Sequence, residues 1–270
     1  MDRPAWAPPG IDLSVPSVSR IYDYYLGGSH NFEVDREAAR RAMEFLPGLP
    51  KIMQANRAFM RRAVRHAVGE GVTQFLDVGS GIPTFGNVHE VARQAAPDAR
   101  VVYVDHDPVA VAHSKAVLDG DDRADIAAAD LRKPHDILNS PEVGRLLDLD
   151  RPVALLLVAV LHFLEDADRP HEAVATLRDA LAPGSLLIVT HASFDGIPVP
   201  QEQAGGTVGV YRDIRNPLVM RSRDEVARFF DGLGMVEPGL VSMPHWRPDT
   251  PPEQEDPYAF SGFAGVGRKG

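Results

Sequence analysis

Apolar positions along this chain change period at residue 70, and that change divides the chain into two kinds of structure. Before it the spacing is helical. After Ser17, a fitting N-cap, Val18, Ile21, Tyr22 and Tyr25 fall on one face of a helix that Gly27-Gly28 ends. Ala38, Ala39, Ala42, Met43 and Leu46 predict a second helix over 35–46, closed by the Pro47 to Pro50 break. Ile52, Met53, Phe59, Met60, Ala63, Val64, Ala67 and Val68 predict a third, which stops near Gly69 and Gly71.

From Thr73 short continuous apolar runs take over. Thr73, Phe75, Leu76 and Val78 read as a buried strand, and Val88, Val91, Ala92 and Ala95 as the helix after it. RVVYV at 100–104 is a second strand, and Val109, Ala112, Ala116 and Val117 line the next helix. Ala124 to Ala129 is a weaker third strand, and Ser140-Pro141-Glu142 starts a further helix with proline at its first position. Pro152 to Leu161, the most apolar run, predicts a fully buried central fourth strand. A helix over 169–181 and a fifth strand over 185–190 follow. Such alternation implies an α/β domain with a mostly parallel sheet. Residues 195–217, rich in Gly and Pro, read as a functional loop or lid. Ser222 to Glu225 is a capping box for a helix with Val226, Phe229 and Phe230, and the chain closes with strands at 235–243 and 258–266 around an acidic proline-containing loop at 249–257.

The candidate chemistry begins where the first strand ends. Gly79 and Gly81 allow a tight turn and close approach of a ligand, and the helix that follows offers its N-terminus. A dinucleotide loop would have its third glycine at position 84, which is Thr, with Pro83 before it. Asp77 would repel a pyrophosphate but suits a cation such as an amino group, which favours S-adenosylmethionine over NAD. Asp105 ends the second strand about where a ribose-binding carboxylate is expected.

With these residues in place, the chain resembles the class I S-adenosylmethionine-dependent methyltransferases, and more narrowly the bacterial S-adenosyl methyltransferase family, domain of unknown function 574. The match rests on SRIYDYYLGGSHNFEVDREAA (19–39), QANRAFMRRAVRH (54–66), FLDVGSGIPTFGNVHEVA (75–92), APDARVVYVDHDPV (96–109), RPVALLLVAVLHFL (151–164) and AGVGRK (264–269). One departure is His30, where an acidic residue is expected before Asn31.

The resemblance implies a Rossmann-like fold: a seven-stranded, mostly parallel sheet with an antiparallel last strand, capped by N-terminal helices. Residues 1–70 would be arm and cap, and 71–270 the catalytic domain, the two forming one unit. S-adenosylmethionine would meet Asp77 at its amino group, Gly79, Ser80 and Gly81 at its methionine part, Asp105 at its ribose, and Asp130 and Leu131 at its adenine, with His106 and Ala159 also against the cofactor. Tyr22, Tyr25, His30, Asn31 and His191 would lie near the acceptor. His162, delivered by the fourth strand to the carboxyl edge of the sheet, is a general-base candidate because an imidazole titrates near neutral pH; it would equally serve to shape the pocket. No Asn-Pro-Pro-Tyr type segment follows that strand, which disfavours adenine and glutamine amino-methyltransferases. A non-catalytic sensor of S-adenosylmethionine or its demethylated product is the rival reading, and it would lack an acceptor pocket.

Composition narrows the partners. With 28 Lys and Arg against 38 Asp and Glu, the net charge of −10 argues against a general nucleic-acid binder. Arg57, Arg61, Arg62 and Arg65 share one helical face and read as solvated surface. There is no cysteine for a disulfide or thiolate, no histidine pair at metal-ligand spacing, and no apolar stretch of membrane-spanning length. The expectations are a cytoplasmic monomer or homodimer, without a metal, acting on a small molecule.

Overall fold

The computed structural model describes residues 12–83, 86–195, 201–214, 217–250 and 261–270. Helices α1 (Val18–Tyr25), α2 (Glu33–Phe45) and α3 (Leu49–Gly69) precede the first strand. Then come β1 (Gln74–Val78), α4 (Val88–Arg93), β2 (Arg100–Asp105), α5 (Pro108–Val117), β3 (Ala124–Ala128), α6 (Pro134–Leu138), α7 (Pro141–Leu146), β4 (Ala154–Val158), α8 (Pro170–Asp179) and β5 (Leu186–His191). The last described elements are α9 (Gln201–Asp213), α10 (Arg223–Ala227), β6 (Gly234–Met235), β7 (Val241–Ser242) and β8 (Phe263–Arg268).

Among the described residues the strands form one eight-stranded sheet in the order β3-β2-β1-β4-β5-β8-β6, with β7 also on β8. The first five are parallel, and β8 runs antiparallel to β5, β6 and β7. Because β6 and β7 share one flank of β8, the sheet has the seven positions expected. Strand order reverses between β1 and β4, which opens a crevice at their carboxyl ends. Successive residues of β1 serve opposite faces: Phe75 joins a core under α1–α3 with Phe59, Ile126, Leu156 and Ile188, while Leu76 joins Val102, Leu155, Leu187 and Phe229 on the other. Burial on both faces is why these strands read as unbroken apolar runs.

A buried charge network fixes the helices to the sheet. Arg20 Nε donates to Asp35 Oδ2 at 2.8 Å, and Arg20 also faces Asp107, the N-cap of α5, at 3.6 Å. Ser17 is the N-cap residue of α1, yet its side chain makes no capping bond; its hydroxyl donates to Asp107 instead.

Four expectations need correction. The fourth strand spans only Ala154–Val158, because the chain turns at Ala159 with φ 57° and enters a 3-10 turn at Leu161–Phe163, which carries His162. Within the presumed loop at 195–217, residues 201–213 form α9, whose Thr207, Val210 and Tyr211 are buried. Three glycines hid it by lowering its helix propensity, but Gly206 has a packing reason: a Cβ there would lie 2.1 Å from Phe45 Cδ1 of α2. The strand expected at 235–243 is two short pieces, and the last strand begins at Phe263; its expected start at Tyr258, with most of the 249–257 loop, the arm before residue 12 and Thr84, lies outside the described residues. Lastly, the arginine face of α3 is not simply solvated. Arg62 donates to the Met243 and Trp246 carbonyls at 2.8 Å each, and Arg57 points into the crevice.

Candidate functional site

Two adjoining cavities lie at the carboxyl edge of the sheet. The first has about 1090 Å³ of free space, mouth included. Asp77, Gly79, Ser80, Gly81, Asp105, His106, Asp130, Leu131 and Ala159 all line it. The turn after β1 is tied to β2: Gly79 and Ser80 N–H donate to the Val104 carbonyl at 2.8 and 3.1 Å. Gly79 has φ 76°, and a Cβ would meet Val160 Cγ2 at 2.5 Å, so no side chain fits there. Gly81, at φ 68°, borders open space, and its N–H donates to Asp105 Oδ2 at 2.7 Å.

Asp105 therefore clamps the loop as well as facing the cavity. Its Oδ1 accepts from Asp107 N–H at 2.8 Å, and a carboxylate engaged this way still has acceptor capacity on each oxygen. Burial raises its pKa, while the two backbone hydrogen bonds oppose the rise. Asp77 is pushed up to about 7, chiefly by burial; Arg57 pulls it down and Asp105 pushes it further up. Such a carboxyl group becomes comfortable as an anion when a cation comes to it. Ser80 Oγ is buried without a hydrogen-bond partner among the described residues.

Asp130 is less free than its position at the end of β3 implied. Arg132 donates to it from Nε at 2.9 Å and from Nη2 at 2.6 Å, and the Arg132 N–H adds a bond of 2.9 Å. Both side chains line the first cavity.

The second cavity has about 700 Å³ of free space and shares Val18, Tyr22, Asn56, Ala159 and Phe163 with the first. A hydrogen-bond relay runs along this common wall. Ala159 N–H donates to Thr190 Oγ1 at 2.8 Å, the Thr190 hydroxyl donates to Asn56 Oδ1 at 2.6 Å, and Asn56 Nδ2 donates to the Tyr22 hydroxyl at 2.8 Å. A left-handed alanine at the junction is a locally unfavourable conformation that the relay holds in place. Tyr25, His162 and His191 line the second cavity, with the Tyr25 and Tyr211 hydroxyls 3.3 Å apart. His162 Nδ1 accepts from Ala192 N–H at 3.2 Å, and burial, with His191 and Arg221 nearby, holds its pKa well below the usual range. His191 is pushed down to about 4, mainly by burial; its Nδ1 donates to the Ala192 carbonyl and its Nε2 accepts from Arg221.

His30 and Asn31, expected near the acceptor, line neither cavity. The His30 N–H and Asn31 Nδ2 both donate to Asp23 Oδ2, at 2.9 and 2.8 Å, and Gly28 closes against the same carboxylate, where a Cβ would lie 2.0 Å from Oδ1. The turn folds back onto Asp23 rather than into the crevice. Conversely, Asn56, Arg132, Phe163 and Thr190 line the site without having been singled out, as does Arg57, which had been read as solvated surface. Only Arg132, two residues beyond Asp130, offered a local signal. Among the described residues, no three His, Asp or Glu gather in a metal-holding group, and no helix is long and apolar enough to cross a membrane.

Comparison with known proteins gives the family. Residues 4–270 match the family model described as S-adenosyl methyltransferase. A structure from Thermobifida fusca YX, described as a candidate methyltransferase, is 42% identical, with 98% of this chain and 99% of that one covered and a TM-score of 0.92. A domain-of-unknown-function 574 protein from Streptomyces avermitilis MA-4680 is 37% identical over 96% of this chain and 99% of that one, with a TM-score of 0.91. The pyocyanin biosynthetic protein PhzM, at 17% identity, 82% and 57% coverage and a TM-score of 0.50, shares the fold alone. No curated protein matches. A glycine turn framed by Asp77 and Asp105 at the switch point of a methyltransferase sheet, within a family match over nearly the whole chain, leads to one conclusion: this chain belongs to the S-adenosyl methyltransferase family, and its cofactor is S-adenosylmethionine.

Proposed function

We propose that this protein transfers a methyl group from S-adenosylmethionine to an oxygen or nitrogen atom of a small molecule, with the cofactor in the first cavity and the acceptor in the second. The observation that carries the reading is the shared wall at Tyr22, Asn56, Ala159 and Phe163, because methyl transfer needs donor and acceptor in contact. When bound, the cofactor supplies a sulfonium methyl carbon: the acceptor's lone pair bonds to it, and the carbon–sulfur bond breaks with its electrons on sulfur.

The residues of the first cavity suit that ligand. Asp77, buried and raised in pKa despite Arg57, would hold the amino group. The open space at Gly81 and the unpartnered Ser80 Oγ would receive the methionine part. Asp105 would accept from the ribose hydroxyls, with His106 beside it. Asp130 would accept from the adenine amino group while keeping its Arg132 partner, with Leu131 against the ring. The relay from Thr190 through Asn56 to Tyr22 would keep the junction rigid. His162 we read as shaping the pocket rather than as a base: its Nδ1 lone pair is engaged, which leaves the proton on Nε2, and its proton affinity is low. We further propose that the helices before residue 70 form a cap within one catalytic unit, and that the protein works in the cytoplasm, where its cofactor is made.

A second cavity beside the first supports catalysis over a sensor without an acceptor site. Calorimetric titration with S-adenosylmethionine, S-adenosylhomocysteine and NAD in parallel tests the reading. Binding of the two adenosyl ligands but not NAD is expected; binding of NAD alone would refute it.

A further inference from the structure

The lining of the second cavity restricts what it accepts. No Asp, Glu, Lys or Arg lines it among the described residues. Aliphatic side chains such as Leu49 and Ile52 alternate with the rings of Tyr25, Phe163, Phe194 and Tyr211. Its imidazoles are engaged: His162 accepts from a backbone N–H, and His191 sits between the Ala192 carbonyl and Arg221. Ser261 Oγ, also in the lining, is buried without a partner among the described residues.

An ionised acceptor would meet no charged side chain among those lining this chamber, so its desolvation would go uncompensated. An aliphatic amine is excluded on that ground because it is a cation at neutral pH, and a carboxylate for the mirror reason. Among neutral nucleophiles, a phenol must lose its proton before it attacks well, and nothing lining the cavity among the described residues is placed to take it. An aromatic amine is neutral near pH 7 and keeps a usable lone pair. Its reaction moves one positive charge from sulfur to nitrogen without separating charge.

We infer that the second cavity takes an uncharged acceptor with an aromatic body, and that the atom methylated is an aromatic amine nitrogen. The nitrogen lone pair forms the bond to the methyl carbon, the carbon–sulfur bond breaks with its pair on sulfur, and the new cationic nitrogen then releases its N–H proton to water. Ser261 Oγ serves a polar atom of the ring system. The inference rests on the two-cavity reading above.

The test uses four probes on one bicyclic body: 6-aminoquinoline, 6-hydroxyquinoline, quinoline-6-carboxylate and 6-(aminomethyl)quinoline. S-adenosylhomocysteine affinity is measured first, and its absence would refute the two-cavity reading rather than this one. On the protein saturated with S-adenosylhomocysteine, the two neutral probes are expected to bind at least tenfold tighter than the two ionised ones. Equal or tighter binding of an ionised probe, or no binding of the neutral pair at millimolar concentration, overturns the inference. With S-adenosylmethionine, mass spectrometry is expected to show one methyl added to 6-aminoquinoline. Methylation of the hydroxyl compound alone, or of neither, overturns the choice of nitrogen. Leu218→Glu places a carboxylate in the half-buried wall of the second cavity only. With S-adenosylhomocysteine affinity unchanged as the folding control, it is expected to weaken the neutral probes tenfold and strengthen the aminomethyl probe. No reversal in a variant that still binds S-adenosylhomocysteine would count against an apolar acceptor chamber.

Discussion

At the scale of single residues, Asp77 shows how binding and stability pull apart. Its pKa of about 7 lies above the ordinary 3.8, so the folded protein holds this proton more tightly than the unfolded chain. The sign follows: its contribution to stability is full below about pH 4 and is lost as pH rises to about 7. A ligand ammonium reverses the preference by favouring the anion. Affinity for S-adenosylhomocysteine is therefore expected to fall as pH drops below 7, with proton release on binding that calorimetry in buffers of different ionisation enthalpy would detect at pH 6.5. Asp77→Asn removes the buried charge, so the empty protein should gain about 1–3 kcal/mol at pH 8 in urea unfolding while losing tenfold or more in affinity. A variant that lost stability and kept affinity would contradict both halves of the argument. Asp105→Ala should also cost affinity tenfold or more with unchanged circular dichroism, since it removes the proposed ribose acceptor and frees the Gly81 N–H. These acids were legible because Asp105 ends an apolar run and Asp77 interrupts one just before the glycine turn. Asn56, Thr190 and Arg57 were not, because they meet the site through the packing of α3 and β5, and no local pattern announces that.

At the scale of elements, strands were legible wherever both faces are buried, and obscure at the sheet's antiparallel edge, where β6 and β7 have two residues each. The clearest loss was α9. Its Thr207, Val210 and Tyr211, with Ile214 just past its end, do follow helical spacing, but Gly205, Gly206 and Gly209 mask it, and the reason for Gly206 lies on another helix. The glycines separate by experiment. Gly209→Ala meets nothing within 4 Å, so it should stabilise by about 0.5–1 kcal/mol through helix propensity. Gly206→Ala must displace the Phe45 ring and should destabilise by about 1–3 kcal/mol despite the same propensity gain. Urea unfolding of the pair reads the difference, and equal effects would mean that α9 does not sit against α2 as described. Because Thr207 and Tyr211 line the second cavity, Gly206→Ala should also weaken acceptor probes more than S-adenosylhomocysteine.

For the molecule as a whole, the question is whether the N-terminal helices are an appendage or part of one folding unit. Four side chains argue for unity. Arg20 bridges Asp35 of α2 and Asp107 at the start of α5, and Ser17 bonds both carboxylates, from its backbone N–H and its hydroxyl. All three charged groups are buried, so removing the cation strands two anions rather than merely losing a bond. Arg20→Met, which keeps the bulk, should cost about 3–5 kcal/mol. With Trp6→Phe leaving Trp246 as the sole tryptophan, the fluorescence that reports the seam with Phe59 of α3 should change together with far-ultraviolet circular dichroism on unfolding. Two separated transitions would show that the helices fold apart from the sheet. The clamp also bears on the site, because α1 carries Ser19 and Tyr22 to the first cavity. A structural role confined to the core would leave affinity untouched wherever Arg20→Met is still folded. A role in seating the cap predicts the opposite: at low temperature, with native circular dichroism, the variant should bind S-adenosylhomocysteine several-fold more weakly, because the wall shared by the two cavities is no longer held.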